Sequence, residues 1–367
     1  MDSDSKLRVF STATSGSTWS RSTGVEPAPL TDSYVNSPTQ PIQAVSPVRK
    51  TKRLAKPPRL NRIVAVGGGK GGVGKSLVTS SLGISLAKRG KRVVVVDADL
   101  GGANLHTCLG LTSPTRTLSD FIARRVSSIE DVLLETGVPN LRLISGAHDH
   151  LTASNLKYFQ KKRLLSKISE IDADYILLDI GAGITLNIID FFLLADEGLL
   201  VVVPEPSSIE NAYRFVKTSL YRLLWRALKT GPARGVVEHA MDQKNAEGIR
   251  TPFDLLEAIE RVDAPTGQML KEKARGFRPR LLINQLRFPE DEGLGRSMAT
   301  VCRRHLGIDI DAIGSVSFDE SVWKANRKRR PFMLDYPEST AGAALGDVAD
   351  SLIFSHRGSY PRPASGV

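Results

Sequence analysis

From Arg62 onward the chain alternates short apolar runs rich in β-branched residues with stretches whose apolar positions recur every three to four residues. That alternation is the pattern of parallel strands joined by crossover helices. The runs predict strands over Ile63–Val66, Arg92–Val96, Leu141–Ser145, Tyr175–Asp179, Leu199–Val203, Arg280–Asn284 and Ala312–Val316. Several are apolar almost throughout, as strands are when helices cover both faces of their sheet. Helical periodicity falls between them, over Lys75–Arg89, Ser154–Ile171, Ile209–Leu228, Leu294–His305, Asp319–Arg327 and Ala341–Phe354. The expected fold is α/β: a doubly wound, mostly parallel sheet with helices on both faces, spanning about 62–356.

Three stretches break the rhythm. Residues 1–61 are rich in Ser, Thr and Pro without apolar period and read as a disordered basic tail; residues 357–367 read as a disordered C-terminal tail. Residues 229–279 are too long for an ordinary helix-to-strand connection and read as an inserted helical segment. Within them Thr251-Pro252-Phe253-Asp254 has the chemistry of a helix start, with Thr251 as N-cap, Pro252 at N1 and Asp254 at N3. Leu255, Leu256, Ile259 and Val262 then form one apolar stripe, which must pack on the main domain, on a second subunit or on a partner, packing within the chain being favoured.

Composition narrows the function classes. The chain carries a formal charge of +11, a balance that suits an anionic partner. Residues 1–62 hold ten Lys or Arg against four Asp or Glu, so more than half of the excess belongs to the tail. Two basic clusters, Arg49–Arg53 and Lys324–Arg330, read either as solvated or as contacts for anionic membrane or nonspecific DNA. No apolar run reaches the roughly 20 residues of a membrane span, and Met1–Asp4 lacks the start of a secretory signal. The expected location is cytoplasmic, with peripheral contact at the inner face of the plasma membrane as an extension. Cys108 and Cys302 have no C-x-x-C partner, which argues against a disulfide framework, a zinc site or a metal cluster.

The strongest chemical signal is Gly69-Lys70-Gly71-Gly72-Val73-Gly74-Lys75-Ser76, which follows a predicted strand and opens a predicted helix. It satisfies G-x-x-x-x-G-K-[ST], in which backbone N–H groups and a helix N-terminus cradle phosphate, the lysine adds a full charge and the hydroxyl reaches magnesium. ATP and Mg²⁺ are the implied ligands. Two strands ending in carboxylates, with Asp97 and Asp99 after one and Asp179 on the other, suit a metal-water shell at the C-terminal edge of the sheet.

A second lysine early in the loop, Lys70, makes the segment resemble the MinD/ParA family of deviant Walker A P-loop ATPases. The resemblance covers about 62–340 and implies a SIMIBI-type P-loop fold and an ATP-dependent homodimer, with Lys70 reaching phosphates held by the other subunit. It implies that Lys70, Lys75 and Asp99 act in hydrolysis, with Asp99 beside the γ-phosphate and the attacking water. Ser76, Asp97, Asp99 and Asp179 are the implied magnesium set, Asp97 in support. Nucleotide contacts fall on Gly69 to Leu77, on Asn104 across the dimer, on Asn284 at adenine and on Ser317 in a second adenine loop. Gly181 and Gly183 match a switch loop, and Pro204–Ile209 a segment bordering the interface. The sequence departs from the family at Leu77, where a second hydroxyl is usual, and at Ser317, where proline is usual. Ile180–Ile184, Pro204–Ser207 and Asp319–Val322 are similar to the flagellar-number (FlhG/FleN-like) branch. That branch implies a molecular switch in spatial regulation of flagellar placement or division-site selection, with a protein partner of such a system. The alternative is a ParA-like partition ATPase on nonspecific DNA.

Overall fold

The computed structural model describes residues 61–99, 102–112, 114–146, 156–228, 235–236 and 251–354. Outside the described residues lie the expected tails, Asn61 apart, the cluster Arg49–Arg53, the start of the helix expected from Ser154, Leu100 and Gly101, and most of 229–250.

Among the described residues eight strands form one sheet, ordered β3-β4-β2-β5-β1-β6-β7-β8. They are β1 (Arg62–Gly68), β2 (Val93–Asp97), β3 (Leu133–Glu135), β4 (Leu141–Ile144), β5 (Tyr175–Ala182), β6 (Glu197–Val202), β7 (Arg280–Leu286) and β8 (Asp311–Ser317). Neighbours run parallel except β3 and β4, which pair antiparallel. Connecting helices are α1 (Lys75–Lys88), α2 (Leu105–Cys108), α3 (Leu118–Ile122), α4 (Tyr158–Ser169), α5 (Leu186–Leu194) and α6 (Pro206–Ala227). Further along come α7 (Pro252–Val262), α8 (Ala264–Gly276), α9 (Leu294–Leu306), α10 (Glu320–Arg327), α11 (Phe332–Asp335) and α12 (Thr340–Phe354).

Strand side chains alternate between faces, and the sheet carries two cores accordingly. Val64, Val66, Val93, Val95 and Leu177 pack with Leu82 of α1 and Leu345 of α12 on one face. Ala65, Val94, Val96, Ile176 and Leu178 pack with Leu164 of α4, Phe215 of α6, Leu255 of α7 and Leu270 of α8 on the other. The helix start at Thr251 forms as its chemistry predicts: Thr251 Oγ1 accepts from Asp254 N at 3.1 Å while Asp254 Oδ2 accepts from Thr251 N at 2.9 Å. Leu255, Leu256 and Ile259 are buried against the sheet's helices, each burial stabilising by about 1.5–3 kcal/mol. Val262, assigned to the same stripe, is instead 55% exposed. It closes the last turn of α7, where the chain leaves for Asp263, the N-cap of α8. At the sheet edge only Val316 of β8 is buried, so this strand is half solvated rather than covered on both faces.

Candidate functional site

The sheet order puts β1 between β5 and β6 and hands its C-terminal end to the Gly69–Gly74 loop, which runs directly into α1. Gly74 serves as N-cap of α1 with φ +93°, a left-handed backbone that only glycine adopts without strain. A Cβ at Gly69 would lie 2.4 Å from the carbonyl oxygen of Asn211, so here glycine answers the close approach of α6 to the loop. At Gly72, by contrast, a Cβ would meet nothing within 4 Å, and the reason for glycine is the left-handed backbone at φ +78°.

Register brings the carboxylates together. Asp97 of β2 pairs with Asp179 of β5 across parallel strands, and alternation turns both side chains to the α1 face. There Asp179 accepts a hydrogen bond from the hydroxyl of Ser76 and one from Thr79 Oγ1 at 3.4 Å. Asp97 braces the following loop, its Oδ1 accepting from Asp99 N at 3.2 Å and its Oδ2 from Leu105 N at 3.0 Å. Burial and the neighbouring Asp179 charge push Asp97 up to about 7. Burial likewise lifts Asp179 to about 6, opposed by the Ser76 hydroxyl and the Lys75 charge. Burial holds Lys75 below the ordinary lysine range, against the pull of Asp179 and Asp99. Asp99 lies beside β5, since a Cβ on Gly181 would stand 3.1 Å from its Oδ1.

Two carboxylates raised in this way carry more negative charge than Lys75 offsets, and the hard oxygens of Asp179 and Ser76 are suited to supply a few ligands to a small divalent cation. No group of three His, Cys, Asp or Glu side chains among the described residues is gathered closely enough to hold a metal alone. Magnesium binds through one or two protein oxygens such as those of Asp179 and Ser76, with water and phosphate oxygens as its other ligands.

The other expected residues fall at the rim. Lys70 Nζ donates to Glu205 Oε2 at 2.7 Å and to Ser207 Oγ at 3.0 Å, at the start of α6. The segment Pro204–Ile209, to which sequence assigns no chemistry, thus holds the second lysine of the loop. Asn284 is buried at the end of β7 and its Nδ2 donates to Val73 O at 2.8 Å, while Gln285 Nε2 donates to Gly72 O at 3.3 Å. A register irregularity between β7 and β8, with Gln285 at φ +60°, turns both amides toward the loop. Asn284 is therefore a strut of the phosphate loop, a role its residue type does not announce. Ser317, exposed at the end of β8, lines a groove of about 400 Å³ with Arg287, Phe288 and Phe318. Arg287 stacks on Phe318 there at 3.6 Å. Leu77 is half-buried against the α1-side core, and Asn104 is exposed as N-cap of α2.

A glycine-rich strand-to-helix loop with a lysine and hydroxyl at its end, facing a paired carboxylate on the neighbouring strands, defines a P-loop nucleotide-binding protein. An AAA domain family matches residues 61–221. The chain is 33% identical over 307 residues to the antiactivator FleN of Pseudomonas aeruginosa, covering 83% of this chain and 89% of that protein. It is 34% identical over 158 residues to the septum site-determining protein MinD of Synechocystis, covering 43% of this chain and 59% of MinD. Among solved structures, MinD of Pyrococcus horikoshii complexed with Mg-ADP superposes with a TM-score of 0.54 at 20% identity, covering 82% of this chain and all of that one. A ParA family ATPase from Chlorobium tepidum shares the fold with a TM-score of 0.54 at 16% identity, covering 79% and 98%. The chain belongs to the MinD/ParA family of P-loop ATPases.

Proposed function

We propose that this protein is an ATP-dependent dimeric switch that hydrolyses ATP slowly with Mg²⁺ and acts in spatial regulation of flagellar number or placement. The observation that carries the reading is the split between its two loop lysines. The Lys75 charge acts on Asp179 and Asp99 at the start of α1, whereas Lys70 is tethered to Glu205 and Ser207 at the start of α6. A cation held at the rim of its own site is available to phosphates presented by a second copy, where exclusion of water strengthens the attraction.

On this reading the N–H groups of residues 69–76 bind the β-phosphate, and Lys75 neutralises charge between the β- and γ-phosphates. Ser76 and Asp179 would hold magnesium, with Asp97 keeping the Asp99 loop in place; the ion supplies charge neutralisation at the phosphates. Asp99 orients the attacking water, and Lys70 completes the partner's site. The amides of Asn284 and Gln285 fix the loop for this task, and the groove beside Ser317 takes the base. Likeness to FleN over most of both chains supports the flagellar branch.

The test is genetic and biochemical together. Deletion in the organism that encodes the chain is expected to change flagellar number, with Lys75→Ala failing to restore it. An unchanged count, together with ATP-dependent retention of the purified protein on random duplex DNA, would move the assignment to a partition ATPase.

A further inference from the structure

The helix α10 is pinned to the fold on one side only. Its N-cap Asp319 accepts from Ser321 N at 2.8 Å and from Ala341 N, at the start of α12, at 3.2 Å, and Ala325 is fully buried. Spacings of three and four residues bring Trp323, Lys324, Arg327 and Lys328 together on the opposite face, and all four are exposed. Arg327 stacks on the Trp323 ring at 5.3 Å, and that ring is still 60% exposed. Arg330 is neutralised by Asp335 at 2.9 Å. Lys324 has only a loose partner in Glu320 at 3.7 Å, and Arg327, Lys328 and Arg329 form no ion pair among the described residues.

The turn that ends α10 adds an unusual choice. Arg330 N donates to Ala325 O at 3.1 Å and Arg329 N to Asn326 O at 3.0 Å, a helix ending that favours glycine in the left-handed position. That position, φ +51°, is occupied by Arg329. A cation stands where backbone energetics prefer glycine, so the charge is kept at a cost in local stability. The neighbouring α11, which packs on α10, leaves Leu334 41% exposed.

We infer that the α10 face is a contact for an anionic lipid surface, with Lys324, Arg327, Lys328 and Arg329 over the headgroups and Trp323 set in the interfacial layer. Charge complementarity selects an anionic partner, and the exposed indole selects lipid: a duplex phosphate backbone takes the cations but offers nothing to the exposed part of the Trp323 ring, whereas the membrane interface takes both. Each cation near such a surface contributes about fivefold in affinity at the usual strength of polybasic contacts. None of these residues belongs to the phosphate cradle, so the contact stands apart from the nucleotide switch.

The test uses the full chain with Trp19→Phe and Trp225→Phe, which leaves Trp323 as its one indole. Co-sedimentation is measured with vesicles of phosphatidylcholine alone, with vesicles containing equal parts phosphatidylglycerol, and with random duplex DNA. Binding is expected to the mixed vesicles only, weakened by salt, with Trp323 emission shifting to shorter wavelength. The variant Arg327→Gln/Lys328→Gln/Arg329→Gly, whose glycine suits the left-handed turn, is expected to lose about 100-fold in affinity with its melting temperature preserved. Trp323→Ser is expected to retain the salt dependence at reduced affinity. Vesicle binding that the triple variant does not weaken, or no vesicle binding at all, overturns the inference. Retention on DNA lost in the triple variant, without vesicle binding, assigns the face to nucleic acid instead.

Discussion

The tether on Lys70 makes a quantitative prediction. If Lys70 leaves Glu205 to reach the partner's phosphates, the ion pair it abandons opposes dimerisation. With the two side chains 39% and 57% exposed, the pair is a surface one, and such pairs contribute about 0.2–1 kcal/mol. A symmetric dimer breaks two, so Glu205→Ala should tighten dimerisation by about 0.4–2 kcal/mol, or about 2- to 30-fold. Glu205 caps α6 through its backbone position and makes no side-chain cap bond, so the helix should persist. Sedimentation velocity across a protein titration, with a non-hydrolysable ATP analogue and Mg²⁺, reads the dimer constant; nucleotide affinity of the monomer should not change. Dimerisation that is unchanged or weaker in Glu205→Ala would refute the idea that the contact is a brake.

Other expectations follow from the same geometry. Lys75→Ala should remove measurable nucleotide binding by calorimetry, because it takes away the loop cation whose charge acts on Asp179 and Asp99. Asp190 of α5 is buried with Lys161 of α4 at 2.5 Å and Arg222 of α6 at 3.0 Å, and Arg226 also bonds it. Asp190→Asn strands three cations and should cost about 3–5 kcal/mol in urea unfolding; a loss under 1 kcal/mol would contradict the burial. Asp97 and Asp179 titrate higher folded than unfolded, so between about pH 4 and pH 7 these two groups hold more protons in the folded chain. Their contribution to the unfolding free energy of the nucleotide-free protein should therefore fall as pH rises through that window. Asp97→Asn should flatten the slope of melting temperature against pH, and identical slopes would refute the assignment.

Much of this was legible in the chain because periodicity and loop chemistry agree. The alternation from Arg62 onward marks the parallel strands, and the loop Gly69–Ser76 marks its own ligand class. What stayed hidden has physical reasons. The helix α5 is nearly all apolar, Leu-Asn-Ile-Ile-Asp-Phe-Phe-Leu-Leu, so it carries no clear three-to-four period. Strand β3 is three residues long and pairs antiparallel at an edge, below what a pattern can register. The helix α8 follows α7 after one residue, Asp263, which caps both. In the site, the partners of Lys70 and Asn284 are 135 and 211 residues away in sequence, set by strand order rather than by any local signal.

The most direct measurement is solution mass, by light scattering, of wild type and Lys70→Ala with Mg²⁺ and a non-hydrolysable ATP analogue. The account predicts a dimer for wild type and a monomer for Lys70→Ala that still binds the nucleotide. A wild-type monomer, or a Lys70→Ala dimer of undiminished strength, would contradict it.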